Sequence, residues 1–297
     1  MPTTALDRLL ADDTVRASVP AFDAHRDLIP LRLPAWDTAS TETVNALTGR
    51  VATAGFALVE TGTAPGQDDL LGLAGLLDLG EPFVPPLYRI PGSVQVGTAG
   101  VSQLTATPGA AADAARHPAT SAIGQGWHVD GTLQQLGEVR TSLLLCVRPA
   151  ATGGQSLLFN ATAAFLDLAD HDPAAAAALM APSALVRMAT VNGSNDSTAG
   201  PAFAVTGGQL LTRYARTDAD RWFPPSGDPA AVDRALARLD ELAAPGSPYR
   251  LEFTMTAGQG LVFANSRLCH GRAAYTDDSA APRTLLRGLF TTDLTTR

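Results

Sequence analysis

The chain has 297 residues, 45% of them hydrophobic, and a chain of this length and composition can bury the core of one large domain. Its formal net charge of -8, without any cluster of basic residues, argues against nucleic acid or an anionic membrane surface as a partner, so a small molecule is the expected one. The sequence contains no apolar run long enough to span a membrane and only two cysteines, too few for a disulfide framework. We therefore expect a cytoplasmic protein; whether it forms a homo-oligomer stays open.

The first part of the sequence alternates predicted helices with proline-rich and glycine-rich stretches. Residues 1–40 contain Pro20, Pro30 and Pro34 among charged residues, a pattern typical of an arm on the protein surface. Residues 82–125 are rich in Pro, Gly, Ala, Ser and Thr, and a connection of that length is usually a functional lid. The regular elements predicted in this part are a helix over 41–53, a buried strand over 55–60, a helix over 68–79 and a strand over 93–97.

After residue 127 the predicted elements are mainly short strands. The Gly207-Gly208 pair between two of them is a hairpin signal. Such a pattern predicts a mainly β protein with peripheral helices, whose core over residues 41–297 is a double-stranded β-helix, the jelly roll of cupin-like proteins. The strands are expected over 141–147, 155–159, 183–190, 202–206, 209–214, 249–256, 260–264 and 283–291, and the helices over 160–168, 173–180 and 229–243.

His128 and Asp130 form the first candidate metal-binding pair. In extended structure, residues two apart project from the same face, so an imidazole and a carboxylate can reach one ion. The spacing alone is a weak signal, because the chain holds 5 histidines and 29 acidic residues and the same pattern recurs at His25 and Asp27. That second pair lies in the proline-punctuated arm, so we assign it no role.

His270, at the end of an apolar run, supplies a third candidate ligand. Two imidazoles and one carboxylate on one face of an octahedral ion leave three positions open, as in non-haem iron oxygenases, where a chelating co-substrate and dioxygen take them. The same side chains also suit zinc with a bound water, so a zinc-dependent hydrolase is an alternative. A non-catalytic jelly-roll module that binds a small anion is a third interpretation.

Two arginines follow the third ligand. Arg283 and Arg287 lie four residues apart in a predicted strand and therefore face the same side. A guanidinium can donate two parallel hydrogen bonds to one carboxylate, which suits a dicarboxylic acid. Taken alone, the two residues are equally typical of ordinary surface salt bridges.

The sequence resembles the taurine/2,4-dichlorophenoxyacetate dioxygenase family, which includes the γ-butyrobetaine hydroxylases. The resemblance extends over roughly residues 45–293. It implies a jelly-roll core and an enzyme that uses Fe(II), 2-oxoglutarate and O2 to oxidise, most often hydroxylate, an unactivated C–H bond of a small anionic or amino-acid-like substrate, with release of succinate and CO2. Four segments carry it in the family's order: Gly126 to Thr132, Thr152 to Phe159, Asn265 to Arg272 and Arg283 to Arg287.

The resemblance also implies roles for single residues. It implies that His128, Asp130 and His270 hold iron. It further implies that Arg283 binds the far carboxylate of 2-oxoglutarate, with Ser156 donating a hydrogen bond where family members use a threonine.

On the substrate side the resemblance concerns Arg287 and Tyr88. Arg287 matches a position that in some members binds an anionic group of the substrate, and Tyr88 matches a substrate-side tyrosine. Pro85 stands where the taurine enzyme has a histidine, so we do not expect taurine itself as substrate. Residues 82–125 and 191–202 are the expected lids over the reacting centre.

Overall fold

Strands dominate the regular structure of the computed structural model, which describes residues 6, 9, 11–13, 15, 20–89, 95–106, 121–189, 194–278 and 280–294. The strands are β1 (Leu31–Arg32), β2 (Phe56–Glu60), β3 (Gln95–Val96), β4 (Ser102–Thr105), β5 (Gln125–His128), β6 (Thr141–Arg148), β7 (Thr152–Gly153), β8 (Ser156–Phe159), β9 (Leu185–Met188), β10 (Ser197–Gly200), β11 (Phe203–Thr206), β12 (Gln209–Thr212), β13 (Asp220–Trp222), β14 (Arg250–Phe253), β15 (Gln259–Ala264), β16 (Cys269–Arg272), β17 (Tyr275–Thr276) and β18 (Thr284–Phe290). The helices are α1 (Ala24–Asp27), α2 (Thr41–Ala54), α3 (Gln67–Leu76), a 3-10 turn (Pro86–Arg89), α4 (Ala161–His171), α5 (Pro173–Leu179) and α6 (Ala231–Leu242).

Two sheets form the body of the protein. The larger one has the strand order β1-β2-β15-β6-β18-β4-β3, and the smaller one has the order β14-β8-β16-β5. Apart from the parallel pair β1–β2, neighbouring strands of both sheets run antiparallel. Side chains of both sheets meet in one buried cluster that includes Phe56, Leu158, Phe263 and Leu285. Two antiparallel sheets that enclose such a core confirm the predicted jelly roll.

Helices cover the outer faces of both sheets. Leu47 of α2 and Leu70 of α3 pack against Val59 and Leu143 on the larger sheet. Helices α4, α5 and α6 pack on the side of the smaller sheet, where Phe159 joins their cluster. Helices therefore cover the outer faces of the two sheets. In the described part of the chain, no helix combines the length and apolar character that crossing a bilayer requires.

Local sequence signals fix the limits of several elements. Ser40 Oγ accepts a hydrogen bond from the amide of Thr43 and so caps the start of α2. Gly55, with a φ of 82°, ends that helix in the left-handed conformation that glycine adopts without strain. The Gly207-Gly208 turn joins β11 and β12, as predicted, with positive φ at both glycines.

Helix α6 begins two residues later than the sequence predicts. Asp228 directly precedes the predicted helix start at residue 229, a position where a carboxylate often caps a helix. Its carboxylate instead accepts the amide of Ala230 at 3.2 Å and forms an ion pair with Arg234 at 2.9 Å. The helix therefore starts at Ala231.

The predicted surface arm over 1–40 is corrected in its second half. Strand β1 adds to the edge of the larger sheet, and Leu33 and Trp36 are each only 2% exposed. A Cβ placed on Gly260 would lie 3.1 Å from the Trp36 ring, so the ring packs directly on the central strand β15. Pro30 is compatible with this structure, because it directly precedes the edge strand β1, where its missing N–H is not needed for pairing.

The predicted lid over 82–125 also contains core structure. Strand β4 pairs with β18 inside the larger sheet, and Val101 and Leu104 are buried. Residues 90–94 and 107–120 of this lid, and 191–193 of the second one, lie outside the described residues. The described part of the second lid includes β10, which pairs with β9. Both strands have only four residues, mostly small or polar, which is why composition alone suggests a loop.

We expect Trp36→Ala to lower the free energy of unfolding by about 3–5 kcal/mol, because it leaves a cavity against strand β15 of the larger sheet. Urea unfolding followed by fluorescence or circular dichroism measures this change. Arg32→Ala, whose side chain is 87% exposed, is the control and should change stability by less than about 0.5 kcal/mol. Equal, small effects of both substitutions would restore the surface-arm interpretation.

Candidate active site

The three predicted metal ligands lie together at one end of strands β5 and β16. These strands are neighbours in the smaller sheet, and their register pairs His270 with His128, whose ring centroids are 4.3 Å apart. Asp130 follows β5, and its Oδ2 lies 3.8 Å from His270 Nε2. One ligand atom from each residue lies within 4.8 Å of the other two, a spacing that suits coordination of a single ion.

Asn265 fixes the backbone at Asp130. Its Oδ1 accepts the Asp130 amide at 2.7 Å, and its Nδ2 donates to the carbonyls of Asp130 and Val139 at 3.2 and 3.0 Å. The Asp130 carboxylate is itself oriented by Ser142 Oγ, which donates to Oδ2 at 2.8 Å. Sequence reasoning missed both supporting residues, because the partners of Asn265 lie 126 and 135 positions away along the chain.

The protonation states of the three side chains suit a divalent cation. Burial, and then the positive charge of His270, lower the pKa of His128 to about 3. Burial also lowers the pKa of His270. For Asp130, burial raises the pKa, but the positive charges of Arg287 and the two histidines outweigh it and hold the pKa well below its usual range. Two neutral imidazoles and an ionised carboxylate are the forms that bind metal.

The orientation of His128 points to its metal-binding atom. His128 Nδ1 lies 2.8 Å from the carbonyl of Gly126, which accepts a hydrogen bond and thereby leaves the lone pair on Nε2. His270 Nε2 is the nitrogen nearest Asp130. The donor set of two imidazole nitrogens and one carboxylate oxygen fits the iron site that the sequence predicts.

Arg287 and Tyr88 lie beside the metal site and bond to protein groups. Arg287 Nη1 donates to Asp130 Oδ1 and Nη2 donates to Tyr88 Oη, both at 2.7 Å. Burial, with the negative charge of Asp130, raises the pKa of Tyr88 to about 12 although Arg287 opposes the shift. In this arrangement both ends of the Arg287 fork are occupied, so the geometry gives Arg287 the task of orienting the Asp130 carboxylate.

Arg283 lies in a second cationic cluster with Arg272. Both guanidinium groups pack on the ring of Tyr275, at 5.3 and 4.7 Å from its centroid. Ser156 is the cross-strand partner of Arg272 in the β8–β16 pairing. Neither guanidinium forms an ion pair with a carboxylate in the described ranges, and Arg272 Nε is buried without an acceptor there. Two like charges held together in this way could bind an anion.

Arg272 was missed at the sequence level, although a signal for it exists. It lies two residues after His270 in the same strand, so both side chains project from one face. Burial, and the positive charge of Arg283, lower the pKa of Arg272 to about 10. Arg272 Nη2 also donates to the carbonyls of Ser121 and Ile123, which holds the chain that leads into β5.

The pair His25 and Asp27 does not form a comparable site. His25 is exposed, and the carboxylate of Asp27 accepts the amide of Asp23 and the Nε of Arg26, both at 2.8 Å. Asp27 therefore stabilises the short helix α1.

We expect Arg287→Gln to weaken Fe(II) binding by about 10–100-fold, because the Asp130 carboxylate loses the group that orients it. Anaerobic titration of metal-free protein with Fe(II), without any substrate, measures the effect. Arg148→Gln, an exposed arginine on the neighbouring strand β6, is the control. Unchanged iron affinity together with weakened substrate binding would instead support the substrate-anion role that the sequence suggests for Arg287.

Curated proteins similar to this chain share one name. A uridine-5′-phosphate dioxygenase from Amycolatopsis sp is 40% identical over 257 residues, which cover 86% of this chain and 91% of that protein. A uridine-5′-phosphate dioxygenase from Streptomyces sp is 36% identical over 251 residues, which cover 80% of this chain and 86% of that protein.

Solved structures of iron-dependent oxygenases share the fold. Asparagine oxygenase in complex with Fe(II), 2S,3S-3-hydroxyasparagine and succinate gives a TM-score of 0.59 at 16% identity, over 96% of this chain and 91% of that one. A taurine dioxygenase from Burkholderia xenovorans gives 0.57 at 16% identity, over 86% and 84%. At such identities the similarity concerns the fold alone.

The family assignment follows from the match along the sequence. None of these relatives supports a zinc hydrolase or a non-catalytic module, and the protein is an Fe(II)- and 2-oxoglutarate-dependent dioxygenase. A sequence model described as "Taurine catabolism dioxygenase TauD, TfdA family" matches residues 14–289. The chain therefore belongs to the TauD/TfdA family of dioxygenases.

Proposed function

We propose that this dioxygenase oxidises a C–H bond of a nucleoside 5′-monophosphate, with uridine 5′-phosphate as the first candidate. The observation that carries the proposal is the 40% identity, over 86% of the chain, to a protein named uridine-5′-phosphate dioxygenase. A nucleotide is small and anionic, which agrees with the substrate class expected from the sequence.

The charge of the interior supports an anionic substrate. Although the chain carries a net charge of -8, six arginines in its second half are at most 7% exposed. Among the described residues of the whole chain, only three carboxylates are buried to a similar degree, those of Asp27, Asp130 and Asp220. Such a surplus of enclosed positive charge attracts ligands that carry several negative charges, as 2-oxoglutarate and a nucleotide both do. The six arginines are Arg187, Arg213, Arg267, Arg272, Arg283 and Arg287.

The co-substrate is proposed to bind through Arg283, Arg272 and Ser156. When bound, iron and 2-oxoglutarate supply the oxidation of a C–H bond, with succinate and CO2 as co-products. The far carboxylate of 2-oxoglutarate supplies the negative charge that the two guanidinium groups need, and Ser156 adds a hydroxyl donor from β8. Burial lowers the pKa of Arg283, yet arginine stays protonated at neutral pH and so retains its charge.

The remaining residues hold the site in one ionic state. Arg287 and Ser142 donate to different oxygens of Asp130, which fixes the plane of the carboxylate. Tyr88 keeps its proton at neutral pH and therefore adds no second negative charge beside Asp130. As a substrate-side residue, Tyr88 is proposed to mark the wall against which the substrate lies, with Arg287 behind it.

We expect Arg283→Ala and Arg272→Gln each to raise the dissociation constant of 2-oxoglutarate by at least about tenfold, because each removes a charged hydrogen-bond donor. The weak visible charge-transfer band that develops when 2-oxoglutarate is added anaerobically to the Fe(II) protein reports binding. Iron affinity should stay unchanged, and Arg148→Gln should titrate as wild type. A wild-type titration curve for Arg283→Ala would contradict its role.

We expect the wild-type protein, with Fe(II), 2-oxoglutarate and O2, to form succinate faster when uridine 5′-phosphate is present, because substrate binding couples decarboxylation to oxidation. Succinate is measured by chromatography, with uridine, taurine and asparagine as comparison compounds. Stimulation by asparagine or taurine, and none by the nucleotide, would disprove the proposed substrate class.

A further inference from the structure

Arg187 lies against the chain segment that carries two of the metal ligands. It is the third residue of β9, is 3% exposed, and donates through Nη1 to the carbonyl of Val129 at 3.1 Å. Val129 separates His128 from Asp130 in the sequence. Burial is the largest cause of the lowered pKa of His128 and of His270, and the positive charge of Arg187 is a smaller one. A group bound to Arg187 therefore lies next to the metal site.

Arg187 contacts the carboxylate of Asp220, and the charge of that same carboxylate also acts on Arg213. Asp220 Oδ1 lies 3.5 Å from Arg187 Nε, well beyond the roughly 2.7–2.9 Å of a charge-assisted hydrogen bond. Asp220 Oδ2 accepts from the amide and hydroxyl of Thr217. Arg213 is 2% exposed, and burial together with the charge of Arg187 lowers its pKa to about 10. Two guanidinium groups against one carboxylate leave a buried surplus of positive charge.

Several donors of this cluster have no acceptor. Arg213 Nη2 donates to the carbonyl of Thr198, but Arg213 Nε and Nη1 and Arg187 Nε are buried and meet no acceptor among the described residues. By contrast, Arg267 is buried but donates hydrogen bonds from both terminal nitrogens to carbonyls in the last turn of α2, as a structural arginine does. The N–H groups of Arg187 and Arg213 that lack an acceptor could donate hydrogen bonds to an anion with several oxygens.

Gly200 borders the unfilled donor Nη1 of Arg213. A Cβ placed on Gly200 would lie 2.6 Å from Arg213 Nη1, a distance that real Cβ atoms do not reach. Gly200 is not among the glycines with positive φ, so its backbone conformation is open to other residues. A side chain at position 200 would therefore displace the Arg213 guanidinium from its present place.

We infer that Arg187 and Arg213 bind the 5′-phosphate of the nucleotide substrate. The inference rests on the proposed function and names the part of the site that selects a phosphorylated substrate. The other buried arginines near the metal are engaged elsewhere: Arg287 donates to Asp130 and Tyr88, and Arg283 and Arg272 serve the co-substrate site. The phosphate supplies the missing negative charge, and its oxygens accept from the N–H groups that lack partners.

The test uses the anaerobic Fe(II) and 2-oxoglutarate holoenzyme of wild type, Arg187→Gln, Arg213→Gln and the control Arg221→Gln. Arg221 is exposed and adjoins Asp220 in β13, so it matches the cluster in position but not in burial. Calorimetry measures the binding of uridine 5′-phosphate and of uridine. We expect the dissociation constant of the nucleotide to rise by at least about tenfold in both cluster variants, because each loses a charged hydrogen bond, while that of uridine stays unchanged.

Thermal unfolding separates this inference from a structural role. If Arg213 only braced the fold, Arg213→Gln would lower the melting temperature of the ligand-free protein and leave the preference for the phosphorylated ligand intact. The inference predicts a melting temperature that does not fall and a lost preference for the phosphorylated ligand, because the substitution removes one of two buried positive charges that face a single carboxylate. If Arg187→Gln does not fold, Arg213→Gln decides the question by the same two measurements.

The outcomes for the substrate and for the phosphate site are distinct. Wild-type protein that binds neither uridine nor its 5′-phosphate would disprove the proposed substrate and the inference with it. Wild-type protein that prefers the 5′-phosphate, with the same preference in Arg213→Gln and in Arg187→Gln, would overturn the phosphate site alone. Loss of the preference in the cluster variants, with Arg221→Gln like wild type, is the expected result.

Discussion

The register of strand β16 is the constraint on which both parts of the site depend. β16 lies between β5 and β8 in the smaller sheet, where it pairs His270 with His128 on one side and Arg272 with Ser156 on the other. Because side chains alternate along a strand, a slip by one residue would turn His270 and Arg272 away from the inter-sheet space together. One set of backbone hydrogen bonds thus positions the metal ligand and the proposed co-substrate residue.

Charge is distributed in opposite senses outside and inside this protein. Acidic residues outnumber basic ones overall. Ion pairs between the two kinds of residue lie at the surface, such as those of Arg234 with Asp228 and of Arg216 with Asp240. The interior holds a surplus of arginines, which burial alone would make unfavourable. Binding of 2-oxoglutarate and of the proposed nucleotide, each a dianion, would offset this surplus of positive charge.

Sequence alone predicted the parts of the site that a local pattern marks. His128 with Asp130 lies at strand spacing, and Arg283 with Arg287 follows the distal histidine; each pattern is weak alone, and their order along the chain, which resembles the dioxygenase family, identified them. Asn265 and Arg187 escaped prediction because their roles depend on contacts with Asp130 and Val129, which are remote in sequence. The role expected for Arg287 could not be read from spacing either, since only the folded chain shows that its donors meet Asp130 and Tyr88. The predicted arm and the first predicted lid in fact contain the short strands β1 and β4. Pairing with β2 and β18, rather than their own composition, makes these segments strands, so the sequence alone does not predict them.

The sequence contains 21 basic residues besides histidine, and every one of them is arginine. For the buried arginines, the difference between arginine and lysine matters chemically. A lysine amine enclosed to the same degree loses its proton readily, whereas Arg213 and Arg272 stay protonated at neutral pH even with their pKa lowered to about 10. The proposed anion-binding arginines therefore keep their positive charge at neutral pH. Any pH dependence in the binding of the proposed nucleotide then arises from the ligand, whose phosphate dianion takes up a proton at about pH 6.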